Sequence, residues 1–202
     1  MKKKSCLFAL SLFLASISFA QKGTWLVGGD VSLNYAHYPQ PDPGYPTSST
    51  HDFSIMPTVG YQFSNAWTAG VVLGYTHTES PGSDPSNENT WFAGPFVRYT
   101  RPLTPWVSLY GQFQAVYRDE GFYNVNATGG PSRLSDIEGL FYPALLFNVK
   151  NGFGINLSLG GIKYGSEYLE GSSKAIDHYV NLTFGNTVQI GVSKNFGGHH
   201  TK

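Results

Sequence analysis

The sequence contains little charge, one cysteine and a single long apolar run, and each scarcity excludes a class of protein. Lys, Arg, Asp and Glu make up 13% of the 202 residues, against about 25% in an ordinary soluble domain. The 13 basic residues balance the 13 acidic ones, so no basic surface for nucleic acid is expected. Because Cys6 is the only cysteine, neither a disulfide framework nor a thiolate zinc site is expected.

The one long apolar run lies at the N-terminus and predicts an export signal. Three lysines precede an apolar stretch from Cys6 to Ala20, which ends in the small-x-small pattern Ser-Phe-Ala. A basic flank, a short apolar segment and small residues at its end are typical of a signal peptide. The stretch is also shorter than the ~20 residues of a transmembrane helix. We therefore expect residues 1–20 to direct export by the Sec pathway, with cleavage between Ala20 and Gln21.

Aromatic residues, at 15%, and glycine, with 24 residues, are abundant, and the apolar residues after the signal alternate with polar ones. The last such segment, Asp177 to Phe196, carries its apolar residues at even positions: Val180, Leu182, Phe184, Val188, Ile190, Val192 and Phe196. A period of two predicts a β-strand with one apolar and one polar face. Few charges and many aromatic residues favour a strand protein whose outer face meets lipid.

Eight such segments predict eight strands, at about 23–37, 51–63, 67–77, 90–101, 106–118, 136–150, 153–164 and 177–196. Short links at 64–66, 102–105 and 151–152 alternate with long links at 38–50, 78–89, 119–135 and 165–176. An even strand count with alternating short and long links is typical of outer-membrane barrels, whose short turns face the periplasm. We predict an all-β fold, an eight-stranded antiparallel up-and-down transmembrane β-barrel over residues 21–196, followed by a short tail, 197–202.

Aromatic residues cluster near both ends of the outward strand faces. Those predicted at the periplasmic end are Trp25, Tyr61, Phe63, Trp67, Tyr99, Phe147, Phe153 and Phe196, and those toward the outer end are Tyr35, Phe53, Tyr75, Tyr117, Phe141 and Tyr179. Two aromatic belts at the membrane interfaces are expected of a barrel. A general preference of aromatic residues for strands is the alternative explanation.

Three prolines recur at one height of the predicted barrel. Pro57, Pro95 and Pro143 lie in the second, fourth and sixth strands, each at a similar distance from the strand's end. Proline has no N–H to donate to a strand ladder, and a closed barrel has no free edge to accommodate it. We therefore expect a bulge or a locally open ladder at each proline.

Four segments resemble a known family: 55–63, 94–99, 142–144 and 191–196. In their order and spacing they resemble eight-stranded outer-membrane β-barrel proteins of the Bacteroidetes type, which share the OmpA/OmpX barrel architecture. The resemblance covers the chain after the predicted signal. It implies a place in the bacterial outer membrane of a Gram-negative cell, and it implies no particular activity.

The end of the last strand resembles the C-terminal signal that the barrel assembly machinery reads. Gln189, Gly191 and Phe196 match its polar, glycine and terminal aromatic positions. Lys194 departs from it, because a hydrophobic residue is usual there. The resemblance implies that this strand closes the barrel against the first.

An eight-stranded barrel encloses an interior that side chains fill or that holds one small ligand. We predict a hydrogen-bonded plug of inward polar residues, in which Asp30 and Arg98 form the opposite-charge pair; the others are Asn34, Gln112, Gln114 and Asn156. A structural or binding role with a plugged lumen is the main hypothesis. Inward apolar residues favour the alternative, a porin-like transporter of a small or apolar solute: Met56, Val72, Phe92, Phe96, Leu140 and Leu146.

Catalytic signals are weak. His37, His51 and His77 lie near the predicted outer rim, with Ser80 and Asp52 close in sequence, but nucleophile, base and orienting acid must meet in space. We predict no enzyme, no cofactor and no metal site, with a lipid-modifying enzyme as a lesser alternative. A soluble lipocalin-type barrel would need the opposite arrangement of apolar and polar faces.

The expected partners are outer-membrane lipids, lipopolysaccharide and the barrel assembly machinery. No nucleic acid partner and a monomeric state are expected. Acidic residues outnumber basic ones in the predicted outer loops. Those loops either hold divalent cations that bridge lipopolysaccharide phosphates or are simply solvated.

Overall fold

The computed structural model describes residues 22–38, 48–81, 86–124, 132–169 and 175–197. Its strands are β1 (Thr24–Tyr38), β2 (Ser48–Gln62), β3 (Trp67–Ser80), β4 (Ser86–Pro102), β5 (Val107–Asn124), β6 (Ser132–Lys150), β7 (Phe153–Leu169) and β8 (Ala175–Phe196). They form one closed barrel in chain order, with every neighbouring pair antiparallel. The predicted eight-stranded up-and-down architecture is confirmed. The predicted signal and its cleavage site, with residues 198–202 of the tail, lie outside the described residues.

Within the described part of the chain, no helix has the length and apolar character needed to cross a bilayer.

The short links join strands at one end of the barrel, here called the short-turn end, and the long links join them at the other, the long-link end. At the short-turn end, Asn151 and Gly152 both have positive φ angles, of 53° and 75°. This is the conformation that an Asn-Gly hairpin turn requires.

The strands continue further toward the long-link end than the alternation predicts. β4 begins at Ser86, β5 ends at Asn124 and β7 ends at Leu169, where the predicted bounds were 90, 118 and 164. The predicted bounds of the long links are therefore wrong, and the links shorten to 39–47, 81–85, 125–131 and 170–174. Ladder hydrogen bonds come from the backbone, so pairing continues where polar residues occupy both faces and the apolar alternation has ended.

Side-chain exposure confirms the predicted faces of the barrel. On β3, Val71 and Leu73 are 53% and 55% exposed on the outside, whereas Val72 between them is fully buried. The apolar residues predicted to face inward do so on their strands, and Phe96 is buried with Val72. The outside is thus apolar and the inside largely polar, which is the reverse of a soluble barrel.

Aromatic side chains form the predicted group at the short-turn end. All eight are exposed there, and neighbours pack in pairs, with ring centroids 5.3 Å apart for Trp25 and Tyr61 and 5.0 Å for Trp67 and Tyr99. At the long-link end Tyr75 packs on Trp91 at 4.5 Å; Trp91 is an outward residue that the sequence analysis missed. Tyr179 was predicted to face outward, and this is wrong, because its hydroxyl bonds carboxylates of the interior.

Each of the three prolines coincides with an open stretch of ladder, as predicted. Pairing of β2 with β3 passes from Ile55↔Tyr75 to Thr58↔Val72 and skips Pro57. Likewise β4 and β5 leave Pro95 unpaired, and β6 and β7 leave Pro143 unpaired, in the latter case with a register shift. On the other side each proline is paired, with Gly29, Val71 and Gly111 respectively. The missing N–H therefore interrupts one ladder per strand and leaves the other intact.

Gly74 lies beside the Pro57 opening, and the Phe92 ring covers it inside the lumen. A Cβ at this position would overlap the atoms of that ring. We expect Gly74→Ala to lower the free energy of unfolding by about 1–3 kcal/mol, because the ring must move in a packed interior. Gly121→Ala is the matched control, since among the described side chains and backbone its Cβ would meet the Asn89 carbonyl oxygen alone, at 3.8 Å.

Urea unfolding in lipid vesicles measures both variants. The Phe92→Leu background provides a further test, because a smaller side chain should recover much of the loss. Equal stability of Gly74→Ala and Gly121→Ala would contradict the packing of Phe92 on this glycine.

The seam between β1 and β8, where the barrel closes, is short. Its ladder runs only from Trp25↔Phe196 to Asp30↔Gly191, while β1 pairs with β2 over its whole length, from Thr24 to Tyr38. Near the level where the seam ends, β8 also departs from β7, with a register shift between the pairs Ser158↔Gln189 and Gly160↔Phe184. Along this seam the ladder is formed at the short-turn end, and among the described residues β1 and β8 form no pair beyond Asp30↔Gly191.

Candidate functional site

A cluster of buried polar side chains, here called the plug, lies in the short-turn half of the lumen. Arg98 on β4 faces Gln112 on β5, and its Nε donates a hydrogen bond of 2.8 Å to Gln112 Oε1. Gln112 Nε2 in turn donates to Gln114 Oε1 at 3.1 Å. Gln112 is wholly buried, and Arg98 and Gln114 are nearly so. Buried polar groups are stable only when they are hydrogen-bonded. These hydrogen bonds therefore hold the three side chains in place inside the barrel.

Two tyrosines complete the plug. The Arg98 guanidinium lies 4.2 Å from the ring centroid of Tyr110, a cation–π arrangement. Tyr110 in turn packs edge-on against Tyr142, with centroids 6.3 Å apart. The two rings and Ala144 form a buried cluster beside Leu140 and Leu146. Three of the six residues predicted for a plug, Arg98, Gln112 and Gln114, are thus hydrogen-bonded to one another, beside aromatic rings that the prediction did not include. Asn34 instead donates to Asp52 near the long-link end, and Asn156 Oδ1 is buried without a hydrogen-bond partner among the described residues. That the lumen is closed stays a prediction.

Asp30 and Arg98 both face the lumen, but they form no ion pair in the described chain. Arg98 is held by its register neighbour Gln112 on the far wall. Asp30 pairs with Gly191 across the seam, and its Oδ1 occupies the space that a Cβ of Gly191 would need. Asp30 is therefore a seam residue, and the predicted partnership of opposite charges is not formed as a contact.

Above the plug, toward the long-link end, lies a cavity of about 350 Å³. One part of its wall is apolar, with Met56, Phe92, Val116 and Leu140. The rest of the wall is polar. The two seam strands contribute Asp30, Ser32, Asn181, Thr183 and Gln189, and other strands contribute Ser54, Thr76, Gln114, Arg118, Glu138, Ser158 and Lys163. Its volume lies near the lower end of the ~300–1,000 Å³ that small-molecule sites occupy.

Charged residues at the long-link side of the cavity neutralise one another. Glu138 accepts hydrogen bonds from Lys163 Nζ at 2.8 Å and from Arg118 Nη1 at 3.1 Å, and its side chain is only 4% exposed. Arg118 also lies 3.4 Å from Glu120. Tyr179 donates to Asp136 and reaches Glu138 at 3.1 Å. The two cations of the cavity wall are therefore already bound to carboxylates.

The histidines considered for catalysis do not assemble a catalytic triad. His51 packs edge-on against Tyr35 at 4.8 Å, and Asp52 accepts a hydrogen bond from Asn34 instead. His77, beyond the aromatic pair of β3, bonds Asn89 and Glu79, and these hydrogen bonds raise its pKa. The side chain of His37 lies outside the described side chains.

A serine–histidine contact that the sequence analysis missed lies near the long-link end. Ser166 Oγ is 2.8 Å from His178 Nδ1. The neighbouring Asp177 carboxylate accepts from the backbone N–H of His178 and not from its ring. In the described chain, no carboxylate contacts the other ring nitrogen. The pair has no sequence motif that could have revealed it, because its members lie on different strands.

The residues that resemble an assembly signal occupy three settings on β8. Gln189 lines the cavity, Gly191 forms the last pair of the seam and Phe196 pairs with Trp25 in the first. Lys194, the departure from the resemblance, lies on the outside with its Nζ 5.0 Å from the Phe196 ring centroid. A lysine at a barrel end can extend its ammonium toward the interface, so it is compatible with this position. The signal role itself stays a prediction.

No protein-family model matches the chain, and no curated protein matches it. Several solved β-barrel structures do. The N-terminal β-barrel domain of Pseudomonas aeruginosa OprF is 13% identical, with a TM-score of 0.39, over 87% of this chain and 99% of that chain. The attachment invasion locus protein Ail of Yersinia pestis is 18% identical, with a TM-score of 0.40, over 88% and 100%.

The translocator domain of the autotransporter NalP from Neisseria meningitidis is 13% identical, with a TM-score of 0.42, over 98% of this chain and 77% of that chain. The three TM-scores lie below 0.5, so these likenesses carry no argument about family or activity.

Proposed function

We propose that the chain is an integral outer-membrane barrel of a Gram-negative bacterium, with its long links outside the cell. The apolar outer face and the aromatic groups at the barrel ends support this, because a barrel needs an apolar band between interfacial girdles. Narrower membership in the Bacteroidetes type rests on the sequence resemblance alone.

Within that frame, the proposed role is the binding of one small ligand from the outer side, without flow through the barrel. The observation that carries it is the cavity of about 350 Å³ above the buried chain Arg98–Gln112–Gln114. The plug would close the periplasmic half, while the cavity would stay accessible from the long-link end. An eight-stranded barrel has room for one small ligand at most.

Planar-bilayer recordings test the closed lumen. We expect the purified, folded barrel to give no stable channel conductance, because the Arg98 guanidinium and both glutamines fill the lumen where a path would run. A known porin inserted under the same conditions is the positive control. Reproducible unitary steps from the folded barrel would overturn the plugged lumen and favour the alternative, a porin-like transporter of a small solute.

A further inference from the structure

The unpaired part of the β1–β8 seam lies where the barrel would meet the outer half of the membrane. On β1, Trp25 and Tyr35 bound a stretch about as long as the ~9–11 residues with which a tilted strand crosses the hydrocarbon layer. The ladder to β8 stops midway, at Asp30. Beyond Asp30, the outward side chains are highly exposed: Leu33 is 80% and Val180 72% exposed. The gap between the strands therefore opens at the level of lipid chains.

Backbone groups left unpaired in hydrocarbon cost several kcal/mol each, and irregular backbone at this depth is tolerated where it lines a water-filled cavity. The described cavity lies directly behind the seam. Asp30 and Ser32 of β1 and Asn181, Thr183 and Gln189 of β8 all line it. The same gap thus joins the apolar outside of the barrel to the polar wall of the cavity.

We propose that this gap is a lateral portal, through which a single-chain amphiphile with an uncharged, hydrogen-bonding head group enters the cavity from the outer leaflet. The proposal rests on the proposed function, since it names the ligand class and the route for the same cavity. Met56, Phe92, Val116 and Leu140 offer the chain an apolar wall. The small volume takes part of one acyl chain and excludes a two-chain lipid.

The charges around the cavity select the head group. Arg118 and Lys163 are bound to Glu138, so neither is free to hold an anion. Asp30 lies at the portal itself, where it repels a carboxylate or phosphate. The remaining groups beside the gap are hydroxyls and amides, from Ser32, Thr183, Asn181 and Gln189, which are suited to hydroxyl or amide heads.

Photolabelling in phosphatidylcholine vesicles tests the route. The probe is a monoacylglycerol with a diazirine at the end of its acyl chain, and a second probe has the same chain with a carboxylate head. A small water-soluble diazirine, added from outside, reports on the cavity alone. Labelled residues are identified by mass spectrometry, with Val71 and Leu73 as internal controls for contact with lipid.

A cross-link closes the gap. Two residues beyond Asp30↔Gly191 the same register would place Ser32 opposite Gln189. Oxidation of the double variant Ser32→Cys/Gln189→Cys would therefore form a disulfide that joins β1 to β8 beyond the end of the ladder. Leu26→Cys/Asn195→Cys, a pair already within the ladder, is the matched control. Ser32→Trp, which narrows the gap without a covalent bond, replaces the cross-link if that variant does not fold.

We expect the monoacylglycerol to label Met56 or Leu140 in the native barrel and in the control cross-link, since both line the cavity. The carboxylate probe should label them much less, and closing the seam should abolish this labelling while labelling at Val71 persists. Lumen labelling that survives the closed seam would refute the portal, and equal labelling by both heads would refute the selection of an uncharged head. If only the water-soluble probe reaches the lumen, the portal fails and the binding cavity stands. If no probe reaches it, the proposed function fails as well.

Discussion

Val71→Arg is expected to lower the free energy of unfolding in lipid by about 2–4 kcal/mol, the cost of an arginine at the bilayer midplane on the outer face of a barrel. Val71 is 53% exposed on the outside of β3, about midway between the aromatic pairs Trp67–Tyr99 and Tyr75–Trp91. Such a loss is large beside the ~5–15 kcal/mol that stabilises a typical fold. Urea titration of the barrel in lipid vesicles, followed by tryptophan fluorescence, measures it.

Val149→Arg is the matched control for this substitution. Val149 is also exposed on the outside, but it lies at the short-turn end, beyond Phe147 of the aromatic group. An arginine there can reach water, so a cost of about 0–1 kcal/mol is expected near the interface. Equal effects at the two positions would argue against a membrane around the barrel and would undermine its proposed location.

Gln112→Ala is expected to cost about 2–4 kcal/mol, because it removes a hydrogen bond from a charged donor and one to a neutral acceptor. Arg98 Nε would lose its acceptor and Gln114 Oε1 its donor, in a part of the lumen where Gln112 itself is fully buried. The shift of the urea midpoint measures the loss. A rise in bilayer conductance would accompany it if the cavity left behind admits water.

Gln189→Ala provides the control for the plug, since this glutamine at the cavity wall is exposed and takes no part in the hydrogen bonds of Arg98. The hydrogen bond that it accepts from Ser158 Oγ is long, at 3.4 Å. We expect it to change stability by less than about 0.5 kcal/mol, as for most surface positions. If Gln112→Ala is equally mild, the buried chain of hydrogen bonds is not what fills the lower lumen.

Local patterns determined most of the architecture. A period of two needs only neighbours along one strand, so it correctly separated Val71 and Leu73 from Val72. Chemistry confined to a single residue was equally predictable. The missing N–H of Pro57, Pro95 and Pro143 interrupts a ladder whatever lies across it, and Asn151-Gly152 forms its turn without help from the rest of the chain.

The tertiary structure decided which residues meet across the barrel. Strand register, the shift at Pro143 and the shift of β8 against β7 together determine which inward side chains face one another, and none of these is visible in one strand's pattern. Arg98 was therefore matched with Asp30 by charge, although Gln112 is its neighbour. The inward direction of Tyr179 follows from the alternation of β8, in which Val180 and Leu182 face outward, but its contact with Asp136 and Glu138 depends on the register of three strands.

The cavity and the seam beside it also depend on the tertiary structure. The sequence determined that the last strand meets the first, since the chain folds in order and its ends must close the sheet. It did not determine how far that ladder runs, because each rung depends on the position of β8 relative to β7 as well as to β1. The end of the ladder at Asp30 is thus a property of the closed barrel. The proposed route for a ligand depends on the opening that this end leaves.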